Sequence, residues 1–115
     1  MPTYSLTPKD SPASVLLGHP ASVKALAVKF TATWCGPCKQ HPFEKVADLP
    51  SGLPLAFAVC DVDTCGRLAE EALVRSVPTV LIFDRSGKVI GPPIVGVVKA
   101  DKLVELLRQR LTLIP

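Results

Sequence analysis

The chain has 115 residues, 48% of them hydrophobic and 20% charged, with a formal net charge of +3. That size fits one domain over residues 1–115 with material for a sizeable core. The longest strongly apolar stretches, Leu53–Cys60 and Val77–Phe83, fall far short of the roughly 20 residues that span a bilayer. The basic residues are scattered, without a Lys/Arg block or interleaved aromatics, so neither membrane nor nucleic acid is an expected partner. Met1–Asp10 lacks the basic start, apolar middle and small-residue cleavage site of a secretory leader and is interrupted by Pro2 and Pro8, which predicts a cytoplasmic protein. In that reducing setting, four cysteines read as catalytic or metal-binding before they read as structural disulfides.

In chain order, Tyr4–Thr7 reads as a short edge strand and Ala13–Leu17 as a short helix stopped near Gly18 and Pro20. Ala25–Thr31 is an apolar run broken only by Lys29, which suits a buried strand. Pro37 to about Leu49 turns helical until Pro50, Ser51 and Gly52 end it. Leu55–Val62 is again continuously apolar. Thr64–Arg75 carries Leu68, Ala69, Ala72 and Leu73 at helical spacing, with Thr64 as the N-cap. Thr79–Phe83 and Lys88–Val95 read as a hairpin closed through Asp84-Arg85-Ser86-Gly87. Asp101–Leu111 is an amphipathic helix with Arg108 and Arg110 in its last turn. The near-continuous apolar strands imply a parallel pair covered on both faces, and the hairpin adds antiparallel strands. The expected fold class is α/β, a mixed central sheet flanked by helices on both faces.

Cys35 and Cys38 flank Gly36 and Pro37, with Pro37 at a first-turn position where its missing N–H costs little. A helix starting there puts both sulfurs on one side of its first turn. Unsatisfied N–H groups and the positive end of the macrodipole stabilise a thiolate at Cys35. Cys38, further in, is better placed to resolve a mixed disulfide than to begin one. The alternatives are half of a zinc site, completed by Cys60 and Cys65, or unrelated buried thiols. Against zinc, Cys60 falls inside a predicted strand, while Gly36 and Pro37 give the first pair the chemistry of a helix start. A C-x-x-C in a βαβ pattern favours redox chemistry.

The run Phe30-Thr31-Ala32-Thr33-Trp34-Cys35-Gly36-Pro37-Cys38-Lys39 resembles the active-site segment of the thioredoxin family. Asp61-Val62-Asp63 resembles the strand end that follows, Val77-Pro78-Thr79 the cis-proline loop, and Val95-Gly96 the glycine flanking the substrate groove. The similarity covers roughly Leu26–Leu107. It implies a thioredoxin fold and a protein disulfide reductase: Cys35 attacks a client disulfide, Cys38 displaces the reduced product, and a separate thioredoxin reductase regenerates the dithiol. Electrons would thus pass to disulfide-containing clients in cellular redox homeostasis, from a monomer needing no cofactor beyond its redox-active Cys35–Cys38 disulfide. The resemblance also implies a cis bond before Pro78 and an apolar docking surface made of Trp34, Gly36, Pro37, Val77, Pro78 and Gly96. The alternatives are an oxidant or isomerase of the same fold, or a docking module without turnover; retention of both cysteines disfavours the module.

The chain departs from the family pattern in several places. Pro42 lies four residues after Cys38 rather than five, so a helix-interior proline would free the Cys38 carbonyl and move the kink toward the active site. Cys60 reads as a small core hydrophobe, Cys65 as a thiol at a helix start, and His41 as a helix-surface histidine. Lys29 stands where the family has a buried acid beneath the second cysteine. A charged Lys29, paired with a carboxylate such as Asp61 or Asp63, would stabilise thiolate and make a weaker reductant; a neutral one could serve as a base for Cys38.

Overall fold

The computed structural model describes residues 3–115; Met1 and Pro2 lie outside the described residues. Among them, the strands are β1 (Tyr4–Ser5), β2 (Ala25–Thr31), β3 (Leu55–Asp61), β4 (Thr79–Asp84) and β5 (Ile94–Val95). They form one mixed sheet in the spatial order β1-β3-β2-β4-β5. β2 runs parallel to β3, from Ala25 opposite Leu55 to Thr31 opposite Asp61, and antiparallel to β4. A parallel pair needs a crossover, which places helical chain between β2 and β3. The α-helices are α1 (Pro12–Leu17), α2 (Phe43–Ala47), α3 (Gly66–Glu71) and α4 (Ala100–Leu111).

Successive strand residues point to opposite faces, and the core divides accordingly. Leu26, Val28, Phe30, Ala58 and Cys60 pack with Leu16 of α1 and Ala69 of α3. Ala25, Ala27, Phe57, Val80 and Ile82 pack with Phe43 and Val46 of α2 and with Leu103 and Leu107 of α4. Lys29 continues the series Ala25, Ala27, so its side chain belongs to the α2 face.

The segment predicted as one helix from Pro37 to Leu49 is instead two pieces. A 3-10 turn covers Pro37–Gln40, the chain opens at His41 (φ −70°, ψ 133°), and α2 begins at Phe43. The ring of Pro42 drives the preceding residue out of the α region, so the expected kink becomes a break. The Cys38 carbonyl is not left free: the His41 N–H donates to it at 3.3 Å.

α3 is also shorter than expected. The N–H groups of Thr64 and Cys65 both donate to the Asp61 carbonyl, at 2.9 and 2.7 Å, closing a turn that moves the N-cap from Thr64 to Cys65. In the second half of the hairpin, Val89 bridges Phe83 and only Ile94–Val95 form a strand. Gly91 adopts φ +74°, and Pro92 and Pro93 have no N–H to offer the ladder. A Cβ on Gly91 would stand 2.7 Å from the Arg110 Cδ.

The turn between β4 and this segment also carries Arg85. Its guanidinium donates to the carbonyls of Leu16, Val23, His19 and Pro20 at 2.7 to 3.2 Å. Arg85 thereby ties the end of α1 and the loop that follows it to the turn after β4.

Candidate active site

The dithiol lies just beyond the C-terminal end of β2, where the Cys35 N–H closes a turn on the Ala32 carbonyl at 3.1 Å. Cys35 and Cys38 are joined as a disulfide with Cα atoms 5.4 Å apart. Exposure does not separate the two sulfurs, since Cys35 is 5% and Cys38 3% exposed; hydrogen bonding does. The Cys38 N–H donates to the Cys35 Sγ at 3.2 Å, and a donor aimed at a sulfur favours its thiolate. Because Pro37–Gln40 is a four-residue 3-10 turn, this local N–H replaces the long helix dipole expected from sequence. Ala32, Val62 and Val77 pack around both cysteines.

Trp34 is 69% exposed and its indole N–H donates to the Asp63 Oδ2 at 3.0 Å, which holds the ring at the surface beside the disulfide. Gly36 and Pro37 are exposed, Val77 is half-buried and Pro78 buried. The Val77–Pro78 peptide bond is cis. The Gly96 N–H donates to the Pro78 carbonyl at 2.9 Å, so all six residues expected to meet a client come together at one end of the sheet. Val95, read together with Gly96 from the sequence, and its neighbour Val97 are exposed on either side of that glycine.

Lys29 is only 4% exposed, and its partner is neither carboxylate named from sequence. Its Nζ donates to the Glu44 Oε1 of α2 at 2.6 Å. Asp61 accepts the Asp63 N–H at 2.9 Å, and Asp63 is held by Trp34. Lys29, Cys38, Glu44 and Asp61 line a shared cleft of about 260 Å³. The Lys29–Glu44 contact supports the reading of Lys29 as an ion-pair partner over the reading of it as a base.

His41 is 6% exposed, not a helix-surface residue, because the break before Pro42 turns it inward. Its Nδ1 accepts the Phe43 N–H at 3.2 Å. Burial, followed by the nearby Lys29 charge, holds the ring below the usual histidine range; Glu44 and the Gly96 backbone act in the opposite sense.

Cys60 and Cys65 lie in the α1/α3 layer, apart from the group around Cys35 and Cys38, so the four cysteines do not converge as zinc ligands. The Cys60 thiol donates to the Cys65 carbonyl at 3.4 Å, and the Cys65 thiol to the Leu6 carbonyl at 2.9 Å. Burial pushes Cys60 up to about 12 and raises Cys65 as well.

The family model for thioredoxin matches residues 13–109. The chain belongs to the thioredoxin family. Thioredoxin of Malassezia sympodialis is 40% identical over 68 residues, a match covering 57% of this chain and 65% of that protein. Its crystal structure aligns with a TM-score of 0.73 at 31% identity, covering 94% of this chain and 90% of that one. Thioredoxin of Mycobacterium bovis is 34% identical over 112 residues, covering 96% and 92% respectively. A bifunctional thioredoxin reductase/thioredoxin of Mycobacterium leprae is 36% identical over 97 residues, which are 83% of this chain and 20% of that protein. Cys35 and Cys38 are therefore the thiol–disulfide couple of a thioredoxin-family chain, and no helix among the described residues is long and apolar enough to cross a membrane.

Proposed function

We propose that this chain is a protein disulfide reductase. The observation that carries the reading is the Cys35–Cys38 pair, closed as a disulfide, with a backbone N–H aimed at the Cys35 sulfur. In the reduced protein the Cys35 thiolate attacks one sulfur of a client disulfide; a bond forms to that sulfur and the other leaves as a thiolate. Cys38, having lost its proton, attacks Cys35 and releases the second client thiolate. The protein ends oxidised and the client reduced, two electrons having moved. Clients dock on Trp34, Gly36, Pro37, Val77, Pro78 and Gly96, whose mixture of exposed ring, bare backbone and apolar side chains suits an extended segment.

A thioredoxin reductase restores the dithiol, a partner supported by the Mycobacterium leprae relative that bears both names. The protein acts as a monomer in a reducing, cytoplasmic setting and needs no cofactor besides its own disulfide. Lys29 tunes the couple: its positive charge at the Cys38 cleft stabilises thiolate and makes the dithiol a weaker reductant than one without it. The test of the reading is reduction of insulin disulfides by dithiothreitol. The chain should accelerate precipitation of the freed insulin chain well above reagent alone, whereas a docking module would add nothing.

A further inference from the structure

The chain that enters the docking surface from α3 holds a conformation that its sequence should avoid. Among the described residues, Leu73 is the non-glycine residue with a positive φ, at 60°. α3 ends on two hydrogen bonds beyond its cap at Ala72. The Leu73 N–H donates to the Glu70 carbonyl at 3.1 Å and the Val74 N–H to the Ala69 carbonyl at 2.9 Å. That termination requires a left-handed residue at the place Leu73 occupies, where glycine or asparagine is usual because a larger side chain crowds the neighbouring carbonyl. A bulky residue there is an outlier.

Packing gives nothing in return. Leu73 is 75% exposed, while the next residue, Val74, packs into the α1/α3 layer with Ala69. An exposed leucine alone needs no explanation; one that also carries a conformational cost, where glycine would carry none, points to use at the surface. Its place supplies that use. From Leu73 the chain runs through the exposed Arg75 and Ser76 to Val77, which packs on Cys35 and Cys38. The Thr79 hydroxyl donates to the Ser76 carbonyl at 2.8 Å, so this approach is tied to β4. The step from Leu73 to Val77 spans at most about 14 Å of chain, which an extended client segment covers in about four residues.

We propose that Leu73 is a specificity-determining residue that extends the docking surface beyond Val77 and takes an aliphatic client side chain within about four residues of the cysteine under attack. The inference rests on the reductase reading. The contact buries apolar surface that the free protein leaves in water. It acts on binding and leaves the exchange of sulfurs alone.

The test uses insulin and two synthetic disulfide-linked peptide dimers, one with leucines and one with serines on either side of the cysteine, reduced by the parent, Leu73→Gly and Leu73→Met. Leu73→Gly should unfold about 2 to 5 °C higher than the parent, because the left-handed conformation suits glycine. Its KM for the leucine peptide should nevertheless rise about three- to tenfold, with kcat and the KM for the serine peptide held within about twofold. Leu73→Met keeps a flexible apolar side chain and should hold the KM for the leucine peptide within about twofold of the parent. An unchanged KM in Leu73→Gly, an equal rise for both peptides, or a KM in Leu73→Met as high as in Leu73→Gly overturns the proposal. A Leu73→Gly protein that unfolds no higher than the parent removes the conformational cost and overturns it too. A parent that fails to reduce insulin removes the reductase reading and this inference with it, whereas one that reduces insulin without favouring the leucine peptide overturns this inference alone.

Discussion

At Cys35 the sulfur receives a hydrogen bond, from the Cys38 N–H at 3.2 Å. At Cys60 and Cys65 the thiols donate instead, to carbonyls at 3.4 and 2.9 Å. All four cysteines are buried, none more than 5% exposed, so burial does not distinguish the two pairs. The direction of the backbone dipole does. An N–H pointing at sulfur stabilises the thiolate, whereas at Cys60 and Cys65 burial holds the proton in place and a carbonyl accepting from each thiol acts in the same sense. On the proposed reading, the same residue type at two places in one small fold serves as a nucleophile in one and as a core hydrophobe in the other.

The comparison breaks most visibly at the level of turnover. Cys35→Ser should abolish insulin reduction, because a hydroxyl cannot form the mixed disulfide, while Cys65→Ala should keep the parent rate within about twofold, a thiol held protonated having no part in exchange. A marked loss of rate in Cys65→Ala would merge the two regions that the hydrogen bonds separate.

The second pair makes its own prediction in stability against pH. The folded value for Cys60 lies above its ordinary one, so the folded protein holds the proton that the unfolded chain loses, and stability falls as pH rises. The window runs from the ordinary 9.0 to about 12, with a slope of at most about 1.4 kcal/mol per pH unit from one such thiol. Chemical denaturation across that range should show a shallower alkaline decline in Cys60→Ala than in the parent. Equal slopes would mean that the Cys60 thiol is not held protonated by the fold.

A smaller effect is expected from Lys29, which bears on the first pair alone. Lys29→Met should make the couple more reducing by about 30 mV, or 1.4 kcal/mol for a two-electron exchange, with Lys29→Asp displaced further in the same direction. Potentials agreeing within about 10 mV in all three proteins would leave Lys29 a structural partner of Glu44 and nothing more.

Much of this was legible in sequence, for identifiable reasons. β2 falls at Ala25–Thr31 as expected, because a strand buried on both faces leaves a continuous apolar run with clear ends. The dithiol was legible because its chemistry is local, three residues apart. The break at His41 was missed although its cause is also local: the residue before a proline leaves the α region, and applying that rule to His41 would have turned the ring inward. The alternation Ala25, Ala27, Lys29 could have placed Lys29 on the α2 face, but choosing Glu44 needed the starting point of α2, which the same break determines. Arg85 left no such signal. It meets its carbonyls across 62 to 69 residues, and nothing in a turn of Asp84-Arg85-Ser86-Gly87 announces a distant helix end.

The difference between the two pairs can be read most directly by brief alkylation of the reduced, folded protein near neutral pH, followed by peptide mapping. Cys35 should be labelled first, Cys38 more slowly, and Cys60 and Cys65 only after denaturant is added. Labelling of Cys38 before Cys35, or of Cys65 at a rate comparable with Cys35, would contradict the assignment of the activated sulfur to the one that the Cys38 N–H faces.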